Sequence, residues 1–361
     1  MNFTILGQGT GLPEYSMAQD IVVEYAKKVS CHTDEQRRLL PALYRMTGVK
    51  RRHSVLLEAP EDQESRQSFF PYPDNGNDLG PGIGQRMEKY EKCALVLAEQ
   101  AAREALSQSE LAPDDITHLV TVSCSGFYAP GVDVGLIQEL GLRRTVQRTH
   151  VGFMGCHGAL NGLRVARGFT HGDPNARVLL CAVELCSLHY HYGWEPEQIV
   201  ANALFADGAA AIVGSGEPVA DRWRVVGTGS CLMPDSQDAM TWRIRDHGFV
   251  MSLSPHVPDL ICTHLRGWME EWLAGYGMTL PEIRSWAIHP GGPRIIQSAA
   301  KALDLDKDVT EDSREILKTH GNMSSPTILF ILKKMRERNA PLPLVAMAFG
   351  PGLMVEAVLI V

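Results

Sequence analysis

The chain has 361 residues, of which 45% are hydrophobic and 21% charged, as expected of a folded globular protein. A formal net charge of −8 argues against a broad surface for nucleic acid or for an anionic membrane, so neither is expected as a partner. No apolar run reaches the roughly 18–20 residues that span a bilayer, and the N-terminus lacks the basic start of a signal peptide. We therefore expect a cytoplasmic protein with no membrane span.

Strand and helix patterns alternate along the chain, which predicts the α/β class. In the first half they predict strands over 3–7, 116–123, 149–153, 177–184 and 209–213, and helices over 86–108 and 131–141. The glycine string at 7–11 is predicted as a turn, because no Lys-Ser/Thr follows to make a phosphate loop. The Pro- and Gly-rich stretch 57–83 predicts a long surface loop, placed to cover a site.

The second half repeats the alternation of the first. Strands are predicted over 223–229, 285–288, 344–348 and 354–361, a hairpin across 240–252, and helices over 256–276, 293–303 and 324–339. The segments 203–213 and 346–358 close their halves alike, each with an apolar run, a glycine turn and a final buried strand. We therefore predict two domains, 1–220 and 221–361, related by duplication of one α/β unit.

Cys156 is the candidate nucleophile. It joins a predicted strand to a helical pattern, and the positive N-terminal end of that helix is expected to favour thiolate over thiol. His289 and Asn322 lie far downstream, each next to glycine or proline where an apolar run breaks. One activated Cys with a distant His and Asn is typical of covalent acyl transfer. Taken singly, each residue also has an ordinary structural interpretation: a buried thiol, a satisfied histidine and a helix N-cap.

The remaining cysteines and histidines favour no metal site. The eight cysteines contain no C-x-x-C pair, so they are interpreted as free thiols in a reducing compartment. His189 and His191 flank Tyr190 on one predicted face, but no carboxylate or spaced partner completes a ligand set. We expect no metal there and assign His189 to a core or cavity wall.

Five motifs resemble the type III polyketide synthases, the chalcone synthase family. They are Gly155-Cys156, Leu204-Phe-Ala-Asp-Gly-Ala-Ala-Ala211, His289-Pro-Gly-Gly-Pro293, Gly321-Asn-Met-Ser-Ser325 and Phe349-Gly-Pro-Gly-Leu353. The resemblance covers nearly the whole chain in the family's order, and the closing Gly-Pro-Gly-Leu is its most discriminating part. It implies a duplicated thiolase-type αβαβα layered fold that works as a homodimer.

The resemblance also implies a reaction. Cys156 would take the acyl group of a starter acyl-CoA, with an imidazolium at His289 stabilising the thiolate. Malonyl-CoA would then lose CO₂, and His289 and Asn322 would donate hydrogen bonds to the enolate oxygen. The chain would grow by repeated Claisen condensation and then cyclise to an aromatic or pyrone product. No metal or redox cofactor is implied, since the CoA thioesters are substrates.

Several positions carried over from the family line its cavity. Phe205 falls on a gatekeeper phenylalanine, whereas the second gatekeeper phenylalanine of the plant enzymes is replaced here by Met251. Trp242 occupies the position of a glycine that leaves room for the growing chain, so it should fill cavity volume unless a different tunnel opens. The other cavity positions are Cys124, His189 and Ser324. We expect a product range unlike that of chalcone synthase, as in the bacterial branch with its alkylpyrones, alkylresorcinols and naphthalene polyols.

Two arginines are candidates for binding CoA: Arg45, and Arg294 at the tunnel mouth. Two other functions stay open. One is a condensing enzyme like ketoacyl-carrier-protein synthase III, with the same nucleophile and a carrier-protein partner; the other is an inactive scaffold subunit of the same fold. A degradative thiolase is disfavoured, because the last cysteine is Cys262 and a second catalytic cysteine near the C-terminus is missing.

Overall fold

The structure, a computed structural model, describes residues 2–59, 67–73 and 78–361. The predicted surface loop over 57–83 thus lies partly outside the described residues, and its described part before Ile83 contains no helix or strand. The described helices are α1 (Gln19–Ser30), α2 (Asp34–Met46), α3 (Ile83–Ser109), α4 (Val132–Leu140), α5 (Gly158–Gly172), α6 (Pro196–Leu204), α7 (Val257–Ala274), α8 (Pro293–Leu303), α9 (Glu311–His320) and α10 (Pro326–Glu337). The described strands are β1 (Phe3–Gly11), β2 (Ser16–Ala18), β3 (Arg51–His53), β4 (His118–Ser123), β5 (Gln147–Gly152), β6 (Arg177–Leu185), β7 (Asp207–Ser215), β8 (Arg224–Leu232), β9 (Met240–Arg245), β10 (Gly248–Leu253), β11 (Ser285–Ile288), β12 (Leu344–Gly350) and β13 (Met354–Ile360).

The main sheet contains two copies of one strand arrangement. Its order is β11-β12-β13-β8-β1-β7-β6-β4-β5, with β1 and β8 adjacent at the centre. On one side, β1 is antiparallel to β7, β7 is antiparallel to β6, and β6 is parallel to β4. On the other side β8, β13, β12 and β11 repeat the same three relationships. This is the duplicated thiolase-type fold that the sequence predicted.

Helices pack on both faces of the sheet, and two of them lie between its two halves. Residues of α5 and α10 share one apolar core with strands from both halves of the chain. Residues 326–332 of α10 are all buried, which is the pattern of a helix enclosed on every side. Outside, α3 and α4 pack on the first half, and α7 and α8 pack on the second. Among the described helices, none combines the length and the apolarity that a membrane crossing requires.

The glycine string at 7–11 is not the predicted turn; it continues strand β1. The glycines let β1 lie against the backbone of α3, and a Cβ on Gly9 would sit 2.1 Å from the carbonyl oxygen of Ala101. Alanines on the facing side of α3 are fully buried there. The small residues therefore serve close strand–helix packing rather than a change of chain direction.

Candidate active site

Cys156 lies in a tight 3₁₀ turn, Gly155–His157, between β5 and α5. The chain reverses sharply here because Phe153 and Gly155 both have left-handed backbones, with φ of 60° and 73°. Gly155 also has no room for a side chain, since a Cβ would lie 2.5 Å from Cδ of Pro351. The nucleophile turn is therefore packed directly on the closing Gly-Pro-Gly-Leu motif.

His157 completes this contact. Its ring is buried against Gly350. A Cβ on Gly350 would lie 2.3 Å from Cδ2 of this ring. Its Nδ1 is 2.7 Å from Oδ1 of Asn161, one turn further along α5. The motif at 350–353 thus needs its first glycine so that the imidazole beside Cys156 can fit.

Asn322 directs its amide at the nucleophile. The backbone N–H of Asn322 donates to the carbonyl of Leu204 at 3.0 Å, and its own carbonyl accepts from Ala206 N–H at 2.9 Å. The side-chain Oδ1 accepts from the backbone N–H of Ser324 at 2.8 Å, which leaves Nδ2 facing Cys156 Sγ at 3.9 Å. The position of the amide donor is therefore fixed by backbone on three sides.

His289 follows strand β11 and is held by its backbone N–H, which donates to the carbonyl of Met347 at 2.8 Å. Its ring is buried, and neither ring nitrogen has a hydrogen-bond partner among the described residues. The ring lies close enough to His157 for the two to interact electrostatically. The structure thus places the candidate histidine at the end of β11, within electrostatic range of His157.

Burial opposes both charges of the expected ion pair. Although Cys156 is only half-buried as a residue, burial of its sulfur raises the pKa of the thiol to about 11, with hydrogen bonds from Ser324 and Asn322 acting in the opposite direction. Burial, with a smaller contribution from His157, lowers the pKa of His289 to about 3. Burial thus acts against the thiolate predicted at the helix end when Cys156 is considered alone. A thiolate and an imidazolium would have to form together, each compensating the other.

Sequence reasoning missed Glu184, a buried carboxylate beneath the site. Its oxygens accept hydrogen bonds from the backbone N–H of Cys124 at 2.9 Å and from the hydroxyls of Ser125 and Ser325, both at 2.6 Å. Burial raises the pKa of this carboxyl, and these donors act against the rise. The available signal was a carboxylate inside the apolar, fully buried run 178–185 of strand β6.

Three of the predicted cavity residues form a chain of contacts next to Cys156. Cys124 Sγ lies 3.3 Å from the hydroxyl of Ser324, which itself has a left-handed φ of 56° and so precedes α10 rather than beginning it as predicted. Trp242 donates its indole N–H to the carbonyl of Cys124 at 2.8 Å. Trp242, which stands where the family has a glycine, is thus held in place by a hydrogen bond.

His189 belongs to the same group of predicted cavity residues, and the ring of Phe249 packs on its imidazole. Nδ1 of His189 accepts the backbone N–H of Phe249 at 3.0 Å, so Nε2 carries the proton and donates to the carbonyl of Ser125 at 2.7 Å. The two rings stack at 4.1 Å, and burial lowers the pKa of His189 to about 3. Its imidazole is therefore neutral, with both nitrogens engaged.

The hairpin of β9 and β10 supplies the part of the cavity wall that contains Trp242 and Phe249. Met251 is buried opposite Trp242 in the hairpin, and its carbonyl accepts from the side chain of Gln198 at 2.7 Å. The β10 side chain that lines the large cavity of the described structure is Phe249, however, and not Met251. Phe249 lies two residues before Met251, so the alternation of strand faces could have indicated it.

A cavity of about 890 Å³ lies next to Phe205. Phe205, Trp242 and Phe249 line it, and Phe205 is joined to Asn322 by a backbone bridge. The remaining walls come from α1, α6, the segments 52–57 and 67–72, and the turn after β6.

The two arginines predicted to bind CoA are both exposed and lie on neighbouring elements. Arg45 is in the last turn of α2, and Arg294 is in the first turn of α8. Gly48 packs against Pro293, where a Cβ would be 3.2 Å from the proline Cγ. This contact brings the end of α2 and the start of α8 together at one part of the surface.

Comparison with known proteins agrees with this geometry. The family described as chalcone and stilbene synthases matches through its N-terminal domain over residues 2–218 and through its C-terminal domain over residues 225–361. Type III polyketide synthase C of Arabidopsis thaliana is 32% identical, covering 99% of this chain and 94% of that protein. The 1,3,6,8-tetrahydroxynaphthalene synthase of Streptomyces peucetius subsp. caesius is 33% identical, covering 97% of this chain and 91% of that protein.

The solved structures lead to the same family. The crystal structure of PKS-I from the brown alga Ectocarpus siliculosus superposes with a TM-score of 0.93 at 29% identity, covering 99% of this chain and 98% of that one. The chain therefore belongs to the type III polyketide synthases, the chalcone and stilbene synthase family of acyltransferases that join CoA thioesters by decarboxylative condensation.

Proposed function

We propose that Cys156 carries the acyl chain and that His289 and Asn322 activate malonyl-CoA for its extension. The observation that carries this assignment is the orientation of Asn322. Because its Oδ1 is occupied by the N–H of Ser324, the amide presents only donor hydrogens toward the sulfur of Cys156, 3.9 Å away. The oxygen of a thioester enolate formed next to Cys156 would require hydrogen-bond donors directed at it.

The proposed reaction requires neither a metal nor a redox cofactor. Cys156 Sγ attacks the starter thioester, a new C–S bond forms, and the CoA sulfur leaves; His289 takes the thiol proton. Malonyl-CoA then loses CO₂, and the electron pair of the broken C–C bond moves onto the thioester oxygen. His289 and Asn322 donate to that oxygen, each contributing roughly 3 kcal/mol. The enolate carbon attacks the acyl carbon, and the C–S bond to Cys156 breaks.

The experiment separates loading from condensation. Wild type, Cys156→Ala and Asn322→Ala are incubated with malonyl-CoA and a panel of starter acyl-CoAs, with Asn175→Ala, an exposed asparagine, as control. We expect an acyl adduct in the intact mass of wild type and of Asn322→Ala, and none in Cys156→Ala. Asn322→Ala should lose malonyl-CoA decarboxylation on the order of 10²–10³-fold.

Two outcomes would contradict the proposal. Absence of any wild-type adduct would favour an inactive subunit. Extension only of carrier-protein thioesters, with malonyl-CoA unused, would favour the alternative condensing enzyme.

For CoA we propose binding through Arg45 and Arg294, supported by their exposure at one part of the surface. Charge reversal at either should raise the KM for malonyl-CoA and leave kcat largely unchanged. Arg284→Glu, at another exposed arginine, is the matched control. Unchanged KM values in both variants would remove the two residues from the site.

We further propose a homodimer in the cytoplasm that makes products unlike chalcone. Exposed Phe127 and Met154, at 37% and 43%, offer an apolar contact surface beside the nucleophile turn. The free state of all eight cysteines fits a reducing compartment. The anchored Trp242 supports the altered product range, and a Trp242→Gly variant that makes the same product at the same length would contradict it.

A further inference from the structure

We infer that His157, the residue after the proposed nucleophile, positions the ring of His289; this rests on the function proposed above. Nε2 of His157 accepts the ring N–H of His289 through one bridging water. The other nitrogen of His289 is then directed to Cys156, whose proton it takes. His157 is itself held by Asn161, so the chain of contacts runs from α5 to the thiol.

The tautomer of His157 is set by Asn161. Nδ1 of the ring lies 2.7 Å from the side-chain oxygen of Asn161, one turn further along α5. A carboxamide oxygen can only accept a hydrogen bond, so Nδ1 carries the proton and Nε2 keeps its lone pair. Nε2 is buried and has no hydrogen-bond partner among the described residues. The ring therefore presents one unused acceptor.

The ring of His157 is also neutral, as an acceptor must be. Burial lowers the pKa of its imidazole, and the hydrogen bond to Asn161 acts in the opposite direction. Glu356 acts to raise the pKa as well, but its carboxylate is already paired, with Arg164 at 2.8 Å and with the hydroxyl of Ser230 at 2.6 Å. The charge of Arg164 acts in turn to lower the pKa. The two opposite charges thus leave the neutral imidazole favoured.

The strand faces direct both imidazoles into the middle layer, the core shared by α5 and α10. In β11, Ile288 belongs to the outer core beside α7 and α8, so the alternation of faces directs His289 inward. In β12, Phe349 belongs to the same outer core, so Gly350 also faces inward. His157 packs on Gly350, where a Cβ would lie 2.6 Å from Nε2 of the ring. The two rings therefore face one layer, in which they interact electrostatically.

His289 requires a partner of this kind. Both of its ring nitrogens are buried, and neither has a hydrogen-bond partner among the described residues. A neutral imidazole carries one N–H and an imidazolium carries two, so a lack of acceptors is costly in both states. Buried polar groups that no protein group satisfies are ordinarily bonded to an ordered water, which itself requires two or more polar partners. The N–H of His289 and Nε2 of His157 are two such partners.

This arrangement gives His289 a defined direction. With one N–H held on the side of His157, its second nitrogen is the acceptor for the thiol proton of Cys156. Once protonated, the ring has a donor on each side, and the one that faces the sulfur is available to the thioester oxygen of malonyl-CoA. No proton passes on to His157, which fixes the ring and compensates the second N–H of the imidazolium.

The test compares three replacements of His157. His157→Gln places an amide oxygen at about the reach of Nε2, whereas the shorter His157→Asn ends near the position of Nδ1. His157→Phe keeps the volume of the ring without either nitrogen. His32→Phe, at an exposed histidine, is the control. For each protein, kcat and KM are measured for malonyl-CoA decarboxylation, and circular dichroism reports whether it is folded.

We expect His157→Phe and His157→Asn to lower kcat by about tenfold to a hundredfold, as for one buried donor left unpaired, with little change in KM. His157→Gln should stay within about threefold of wild type, because its amide oxygen replaces the acceptor. In NMR spectra of protein labelled with ¹⁵N at histidine, wild-type His289 should show one neutral tautomer. His157→Phe should show a mixture of two.

Two results would overturn the inference. Equal kcat values for the Gln and Asn variants would make His157 a packing residue only, and this comparison holds even if the Phe variant does not fold. A wild-type His157 that is protonated at Nε2 at neutral pH could not accept from His289. In both cases, normal use of malonyl-CoA by wild type leaves the proposed condensation intact. If wild type forms no adduct on Cys156 and decarboxylates no malonyl-CoA, the proposed function fails and the inference fails with it.

Discussion

At the level of single residues, burial acts against charge on the proposed nucleophile and on its proposed partner. Burial raises the pKa of Cys156 and lowers that of His289, so neither charge is favoured alone in the free protein. A buried thiol in this state reacts slowly with adventitious electrophiles. Activation then depends on forming both charges together when a thioester is bound.

This leads to a prediction for thiol chemistry. The rate at which iodoacetamide alkylates Cys156 in the substrate-free protein should be low at pH 7 and still rising at pH 10, because only the thiolate reacts and the pKa is about 11. Intact mass spectrometry against pH measures it, with Cys156→Ala to subtract the other cysteines. A rate that levels off by pH 8 would mean that the ion pair exists at rest.

At the level of elements, Glu184 is the point where three of them meet. Its carboxylate at the end of β6 binds the backbone after β4 and the serine that precedes α10. The strand ends carrying Cys124 and the turn carrying Asn322 and Ser324 are therefore held by one buried anion. Such a group stabilises only while its donors stay paired.

Replacing Glu184 with Gln should destabilise the protein by about 2–5 kcal/mol, since an amide cannot accept all of these hydrogen bonds at once and places its own donors among them. Urea unfolding followed by circular dichroism gives the change in free energy of unfolding. Glu197→Gln, at an exposed glutamate on α6, is the control and should be nearly neutral. A midpoint equal to wild type would show that the carboxylate is not needed as an anion.

At the level of the whole molecule, the two halves share both the core and the site. Cys156 comes from the first half and His289 and Asn322 from the second, while β1 and β8 pair at the centre of the sheet. The core that contains Ile212 of β7 also contains Ile331 of α10. This shared core argues against independent folding of the two predicted domains, 1–220 and 221–361.

We therefore expect fragments 1–220 and 221–361 to be unfolded and inactive when made separately, and active when co-expressed. Each fragment alone would expose the apolar faces that the other covers. Malonyl-CoA consumption and circular dichroism of each fragment and of the pair provide the measurement. Cooperative unfolding of either fragment by itself would contradict the expectation.

Regular elements with strong local patterns could be predicted from the sequence. Strand 285–288 and helix 293–303 have the predicted bounds, because an apolar run and a proline at the first helical position define them locally. Motifs indicated Cys156, His289 and Asn322, and the structure places the amide of Asn322 3.9 Å from the sulfur of Cys156. Helices α1 and α2 were not predicted, since their apolar positions are interrupted by charge and by Pro41.

Features that depend on distant partners could not be predicted. The glycines of β1 signal a turn unless the backbone of α3 is known to lie against them. The raised pKa of Cys156 follows first from burial by neighbours far along the chain. The 890 Å³ cavity requires α1, α6 and the β9–β10 hairpin to meet, so no segment contains its signal.

The backbone bridge between Phe205 and Asn322 has a consequence for the speed of the enzyme. Two N–H···O contacts and the buried Arg52, which donates to the carbonyl of Phe205 at 2.7 Å, fix the main chain at this gate. Passage of an acyl chain past Phe205 would then involve rotation of its ring rather than movement of the main chain. Side-chain rotation takes place in picoseconds to nanoseconds, whereas loop opening takes microseconds or longer. If Phe205 is the gate that the family resemblance implies, passage there should be faster than the opening of a loop.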